Sequence, residues 1–192
     1  MRQSFFKLFL GFLLIAACAQ AAAGAAGNVF DDFQAAAAQG KSTTLFNIDN
    51  DTLLLNKNDG FYTSGARIEQ QYALRGTGQT TVFGWRIGQE LYTASDIKLP
   101  PAFVGPPDHP YAGWLYGGFF KETRHDDGSR LRMGFDLGCL GPCAGGEWTQ
   151  TNLHRLLRQP LPQGWDKQVK NEPGVVLYAN MAPVRWTYTP SI

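Results

Sequence analysis

The clearest pattern in the sequence is a strict alternation of apolar and polar side chains. In SRLRMGFDLG, residues 129–138, the odd positions carry Leu, Met, Phe and Leu, whereas the even positions carry Arg, Arg, Gly and Asp. Successive side chains of a β-strand point to opposite faces, so this period of two predicts a strand with one apolar face. Residues 66–74 and 83–91 repeat the pattern. The chain is therefore predicted to be all-β.

We expect six antiparallel strands, separated by glycine-rich turns such as RGTG at 75–78 and HDDG at 125–128. Their predicted positions are 43–50, 62–74, 80–93, 111–123, 129–139 and 175–188. One short helix is expected at 147–158, since this segment carries three leucines and lacks glycine and proline after Glu147. A helical turn is expected around 30–38.

Alternation by itself does not choose between a soluble sandwich and a membrane barrel, because both have strands with one apolar face. An export signal, strands of about ten residues and aromatic side chains near strand ends (61–62, 111–116 and 186–188) favour an antiparallel outer-membrane β-barrel. Single-chain barrels of this kind begin at roughly eight strands, and an open sheet edge in lipid leaves backbone groups unpaired. Six strands therefore indicate an incomplete barrel.

The first 23 residues have the composition of a secretory signal peptide. Arg2 and Lys7 precede an apolar run at 8–17, and small residues follow it. That run is shorter than the ~20 residues of a transmembrane helix. Ala19-Gln20-Ala21 is the expected cleavage site, and residues 15–18 (IAAC) offer a lipoprotein-type cleavage before Cys18 as an alternative. The expected organisation is signal peptide 1–23, leader segment 24–42 and barrel domain 43–192.

Composition narrows the class of protein further. The 192 residues include 44% hydrophobic and 17% charged residues, which fits one folded domain. Without Arg2 and Lys7, 15 basic residues stand against 16 acidic ones, a net charge of −1 that does not favour a nucleic-acid partner. In an exported protein, Cys139 and Cys143 are either a disulfide that closes a small loop or two free thiols, and the sequence leaves both open.

The residues DND at 49–51 form an oxygen-rich cluster. Carboxylates and amide carbonyls suit Ca²⁺, although a polar strand end is the ordinary explanation for such residues. Consecutive strands tend to pair, so Thr63 and Ser64 on the second strand are expected near Asn50 and Asp51.

Gln150 and His154 are four residues apart in the predicted helix. This spacing places them on one helical face, where both can reach one substrate. A lone histidine is more often structural than catalytic, and His109 and His125 in loops are taken as ordinary solvated residues.

The chain resembles the outer-membrane lipid A 3'-O-deacylases over about residues 46–174. The residues that carry the resemblance are DND at 49–51, GFYTSG at 60–65, GQELYT at 88–93, PYAGWLY at 110–116, LGP…GE within 140–147, Gln150, His154 and GW at 164–165. The resemblance implies a barrel of about a dozen antiparallel strands. It also implies a calcium-dependent esterase site on the lipid-facing wall, near the outer leaflet, that acts on lipid A of the lipopolysaccharide.

The resemblance further assigns roles to five residues. His154 would take a proton from the attacking water, Asp51 would orient His154 or help to hold calcium, and Asn50, Thr63 and Gln150 would position water and substrate. Asn50, Asp51 and Thr63 are the implied calcium ligands.

Two departures from the family pattern bear on activity. Some members carry an acidic residue six positions after the histidine, where this chain has Pro160; Glu147 or Glu172 is the expected substitute. The chain also ends after about half of the expected strands, so it is expected to be truncated. Three other hypotheses compete with an active deacylase: a noncatalytic pore or structural barrel, an inactive deacylase fragment, and a soluble periplasmic sandwich that binds lipid.

Overall fold

The structure, a computed structural model, describes residues 29–50, 62–106 and 108–183. Helix α1 spans Val29–Gln39 and helix α2 spans Gly146–Leu157. Six strands lie at β1 Lys41–Asn50, β2 Tyr62–Arg75, β3 Gln79–Tyr92, β4 Ala112–His125, β5 Arg130–Leu140 and β6 Glu172–Ala182. Short 3₁₀ turns occupy Pro101–Phe103, Pro142–Ala144 and Trp165–Lys167.

The six strands form one antiparallel sheet in chain order, β1 to β6. The predicted strands and helix are confirmed with small shifts at their ends, and the turn expected around 30–38 is the full helix α1. β1 begins at Lys41, two residues earlier than expected. β6 begins three residues earlier than expected. The signal peptide and the expected end of the last strand, 184–188, lie outside the described residues. Within the described residues the sheet is open, with β1 and β6 at its edges.

The register aligns apolar side chains with one another across one face of the sheet, and polar side chains across the other. One row runs from Phe46 through Ile68, Ile87, Gly117 and Leu137 to Val175. We call the side that carries this row the apolar face, and the opposite side, which carries Glu69, Arg86 and Asp136, the polar face.

Burial on the two faces is inverted relative to a soluble protein. On the apolar face Ile87 is 54% exposed and Leu177 79% exposed, whereas on the polar face Glu69 and Glu122 are almost completely buried. An apolar exterior around a polar interior is the arrangement of an outer-membrane barrel, whose exterior contacts lipid.

Ion pairs satisfy the buried charges of the polar face. Arg132 donates to Glu69 at 2.7 Å and lies 3.7 Å from Glu122, while its guanidinium stacks over the ring of Phe120. Arg86 binds both carboxylate oxygens of Asp136. Because a buried charge is costly without a partner, these pairs hold β2, β3, β4 and β5 in one register.

The two ends of the sheet differ in the length of their connections. Short turns at 76–78 and 126–129 join strands at one end, whereas the segments 51–61, 93–111 and 141–171 join them at the other. Outer-membrane barrels have short periplasmic turns and longer external loops, so the long connections mark the external end. α1 precedes β1 at the short-turn end, and α2 belongs to a long connection.

Neither described helix is long and apolar enough to cross a membrane.

We predict that Arg132→Ala destabilises the full-length protein by about 3 kcal/mol, because the buried Glu69 loses its counter-ion and Glu122 keeps only its pair with the more exposed Arg124. Urea unfolding in detergent, followed by tryptophan fluorescence, measures the free energy of unfolding. Arg75→Ala is the matched control: its pair with Asp126 is largely exposed and contributes at most about 1 kcal/mol. Equal losses for the two variants would contradict a stabilising role for the buried pairs.

Candidate functional site

A β-bulge places Thr63 on the apolar face. The register between β2 and β3 shifts between Tyr62 and Ser64, so Thr63 has no partner on β3. Ser64 pairs with Leu91, an apolar-face residue, and the Thr63 and Thr93 hydroxyls are hydrogen-bonded at 2.7 Å. Bulges redirect side chains in this way, and the bulge gives an otherwise apolar wall two hydroxyls at the long-connection end.

Asn50 lies beside this bulge, since it is the cross-strand partner of Ser64. The prediction that Asn50 would lie close to the second strand near Thr63 and Ser64 is therefore confirmed. The prediction of one oxygen-rich cluster at 49–51 is wrong for Asp49. This residue pairs with Gly65 on the polar face, because adjacent residues of a strand point in opposite directions. Its side chain therefore leaves β1 on the face opposite to that of Asn50. Asp51 lies outside the described residues.

Several contacts fix the start of α2 at the end of β5. Gly141 and Gly145 have φ of 96° and 67°, a backbone conformation that glycine adopts readily, and they bound the Pro142–Ala144 turn. Cys139 and Cys143 form a disulfide with their Cα atoms 6.0 Å apart, so the structure contains the disulfide rather than two free thiols. Gln89 on β3 donates to the Ala144 carbonyl at 2.6 Å. The turn before α2 is therefore linked to β5 by a disulfide and to β3 by a hydrogen bond.

Gly146 lets α2 approach the sheet closely. A Cβ at this position would lie 2.7 Å from the Trp165 ring and 2.9 Å from Leu91. Leu91 is also the partner of Ser64, so one residue connects the bulge with the first turn of α2.

Gln150 is buried beneath α2, where its amide orientation is fixed. The Trp165 indole donates to Gln150 Oε1 at 2.9 Å. Because an indole N–H only donates, the amide oxygen must face Trp165 and the amide nitrogen must point elsewhere. That nitrogen has no acceptor in the part of the chain that the structure describes. A buried donor without a partner costs free energy, so Gln150 Nε2 is suited to bind a substrate or water oxygen.

His154, one turn further along α2, has its ring oriented by a backbone carbonyl. Its Nδ1 lies 2.6 Å from the Pro160 oxygen. A carbonyl only accepts, so the neutral imidazole carries its proton on Nδ1 and leaves a lone pair on Nε2. Arg158, with φ of 54°, ends the helix in a left-handed turn that returns the chain toward His154. The Pro160 carbonyl thus holds the imidazole in one orientation, and the expectation that Glu147 or Glu172 replaces the missing acidic residue stays a prediction.

A small core lies behind Gln150, which contacts it through Trp165. Leu91, Ala94, Tyr111 and Trp165 are buried together, and the Tyr111 and Trp165 rings meet edge to face at 5.1 Å. Burial raises the pKa of Tyr111 to about 12, so its hydroxyl remains neutral in this core at physiological pH.

The residues predicted to hold a metal, Asn50, Asp51 and Thr63, have oxygen atoms as donors. Among the described residues, no three His, Cys, Asp or Glu side chains converge. The amide of Asn50 and the hydroxyl of Thr63 are hard oxygen donors of the kind that Ca²⁺ accepts, and Asp51 follows Asn50 directly in the chain. The residue types fit a calcium ion, with the charge to come from Asp51.

Comparison with known proteins identifies the family of this chain. A family model described as "Outer membrane protein LpxR" matches residues 8–190. The chain belongs to the LpxR family. This membership locates the protein in the outer membrane.

The structure also resembles that of LpxR from Salmonella typhimurium, with a TM-score of 0.59 and 22% sequence identity. The match covers 72% of this chain and 50% of that one, so this chain spans about half the length of the solved LpxR structure. The shared feature is the antiparallel LpxR barrel fold, of which the described residues provide six strands. No curated protein matches the sequence significantly.

The structure adds three groups that the sequence patterns did not indicate: Trp165, Thr93 and the Pro160 carbonyl. Trp165 was part of the GW match but had no assigned role. A backbone carbonyl has no sequence signal, and the Thr63–Thr93 contact depends on the bulge. Four of the five predicted site residues lie in strands that form the apolar face or in the helix that packs on it: Asn50, Thr63, Gln150 and His154. The fifth, Asp51, lies outside the described residues.

We predict that Trp165→Phe lowers the free energy of unfolding by about 1–3 kcal/mol, because the buried Gln150 oxygen loses its donor while the ring packing is largely kept. The same substitution at Trp148, which is 73% exposed, is the control and should change stability by less than about 0.5 kcal/mol. Thermal unfolding in detergent compares the two. A Trp165→Phe protein as stable as the control would show that the hydrogen bond to Gln150 contributes nothing.

Proposed function

We propose that this protein hydrolyses the 3'-O-linked acyl chain of lipid A in the outer membrane. The observation that carries the proposal is the pairing of His154 Nδ1 with the Pro160 carbonyl, which leaves Nε2 as a base beside the buried Gln150. Both residues belong to a helix packed against the apolar face at the long-connection end, where an outer-leaflet lipid would be within reach. Membership of the LpxR family supports the same activity.

In the proposed reaction, His154 Nε2 takes a proton from a water molecule whose oxygen attacks the ester carbonyl carbon. Gln150 Nε2 is a donor for the water or the developing oxyanion. When the tetrahedral intermediate collapses, the ester C–O bond breaks and His154 returns the proton to the 3'-oxygen of the sugar. The acyl chain leaves as a carboxylic acid that ionises in water.

Calcium would be held by Asn50, Asp51 and Thr63, and it would supply positive charge beside the ester carbonyl. The polar groups of this chain then have separate tasks. His154 moves the proton, Gln150 orients an oxygen, and the Pro160 carbonyl keeps the imidazole in one tautomer.

The first functional prediction concerns His154. His154→Ala should lower deacylation by about 100-fold or more, because general base catalysis is lost. Mass spectrometry of lipid A from cells that make the full-length protein measures the acyl chains directly. His125→Ala, which changes the last residue of β4 at the opposite end of the sheet, should retain activity. Unchanged acylation with the unsubstituted protein, together with ion conductance in planar bilayers, would instead favour a noncatalytic pore.

The second functional prediction concerns the metal. Deacylation by the purified full-length protein should disappear in chelator and return with Ca²⁺ but not with equal Mg²⁺, whose small octahedral shell tolerates irregular sites poorly. Asp51→Asn should weaken both the rate and the calcium dependence, since it removes a charge and keeps the shape. Full turnover in excess chelator would show that protein donors alone stabilise the oxyanion.

A further inference from the structure

Lys121 is an exception on the apolar face. It is the one side chain among Lys, Arg, Asp and Glu that the described strands place on that face. The residues aligned with it across the sheet are Ser42, Tyr72, Phe83, Met133 and Ala179. A charge on a lipid-facing wall is costly unless it is paired or reaches the interface. Lys121 lies four residues from the end of β4, near the short turns, where headgroups are within reach of a long side chain.

Helix α1 packs against the same part of the apolar face. Phe33 meets the rings of Tyr72 and Phe83 edge to face, at 6.5 and 5.9 Å, and Ala36 is completely buried. Asp32 lies 3.6 Å from the Lys121 ammonium, which also lies 5.2 Å from the Phe83 ring centre. The helix is therefore attached both by aromatic packing and by an ion pair.

A groove of about 810 Å³ remains between the first turn of α1 and the sheet. The helix side is formed by Val29, Phe30 and Phe33, and the sheet side is mostly apolar: Phe119, Met133, Phe135 and Leu177. Lys121 lines the same groove and is its one charged lining residue. The volume is that of a site for a small ligand, and the lining suits hydrocarbon.

Asp32 and Lys121 offer a headgroup one charge of each sign. Their separation of 3.6 Å is an ion pair but not a hydrogen bond, and both side chains are over one third exposed. A phosphate alone would be attracted by Lys121 and repelled by Asp31 and Asp32. A headgroup with a phosphate and a primary ammonium matches both signs, because the ammonium can donate hydrogen bonds to Asp32 while the phosphate accepts from Lys121.

We propose that this groove binds a phosphoethanolamine glycerophospholipid of the leaflet at the short-turn end. One acyl chain lies between α1 and strands β4–β6, the phosphate contacts Lys121 and the ammonium contacts Asp32. The site is on the same face as His154 but at the opposite end of the strands, and it does not depend on the proposed esterase activity.

Native mass spectrometry of the full-length protein tests this site by titration with phosphatidylethanolamine, phosphatidylglycerol and phosphatidylcholine of identical acyl chains. Phosphatidylethanolamine should bind about tenfold more tightly than the other two, the effect of one charge-assisted hydrogen bond. Asp32→Asn should remove its advantage over phosphatidylcholine, whose methylated ammonium has no N–H donor. Lys121→Gln should weaken all three lipids, since each has a phosphate.

Groove filling provides an independent measurement. Met133→Trp should reduce phosphatidylethanolamine binding by about tenfold, since the larger ring occupies the path of the acyl chain. Val175→Trp places the same ring on the apolar face outside the groove and should leave binding unchanged. Equal binding of the three lipids, a preference for phosphatidylglycerol, or equal effects of the two tryptophan variants would overturn the proposal. The two charge variants retain side-chain size, so they decide the question even where Met133→Trp does not fold.

Discussion

The register of the antiparallel ladder is the constraint on which the rest of the structure depends. Side chains alternate between faces, so a slip of one residue would send Glu69 and Arg132 to the apolar face and Ile68 and Leu131 to the polar one. The buried ion pairs oppose such a slip because each charge needs its partner across the strands. The lipid outside opposes it as well, since every charge moved there would lose its solvation.

The candidate site uses local departures from this regular ladder. The bulge at Thr63 turns a hydroxyl toward the apolar wall beside Asn50, and the long connection after β5 returns α2 over the same wall. Rigid contacts then fix the two side chains of α2: Trp165 sets the amide of Gln150, and the Pro160 carbonyl sets the ring of His154. Polar chemistry is thereby placed on a surface that is otherwise suited only to lipid, which is the arrangement that an enzyme acting on a membrane lipid requires.

The same face carries a second polar feature at its other end. Lys121 is accommodated there because α1 brings Asp32 to it and the Phe83 ring of β3 lies 5.2 Å from its ammonium. The two polar regions are separated by rows of exposed apolar residues such as Ile87 and Leu137. A lipid of one leaflet therefore contacts either the candidate site or the Lys121 region. The strands between the two regions fix the distance between them.

The sequence by itself determined the strands, the short helix and the two faces. Side chains repeat every two residues in a strand and every 3.6 in a helix, so the spacing of apolar residues along the chain indicates the element and its buried side. The same alternation would have separated Asp49 from Asn50, had it been applied to the DND cluster. Other features were decided only by tertiary structure. The Cys139–Cys143 bond depends on the path of the chain between β5 and α2, and the roles of Trp165 and the Pro160 carbonyl depend on how the long connection packs. These contacts join residues through a loop whose conformation no residue pattern encodes, since it is set by the aromatic core and by the glycines that let the backbone approach it.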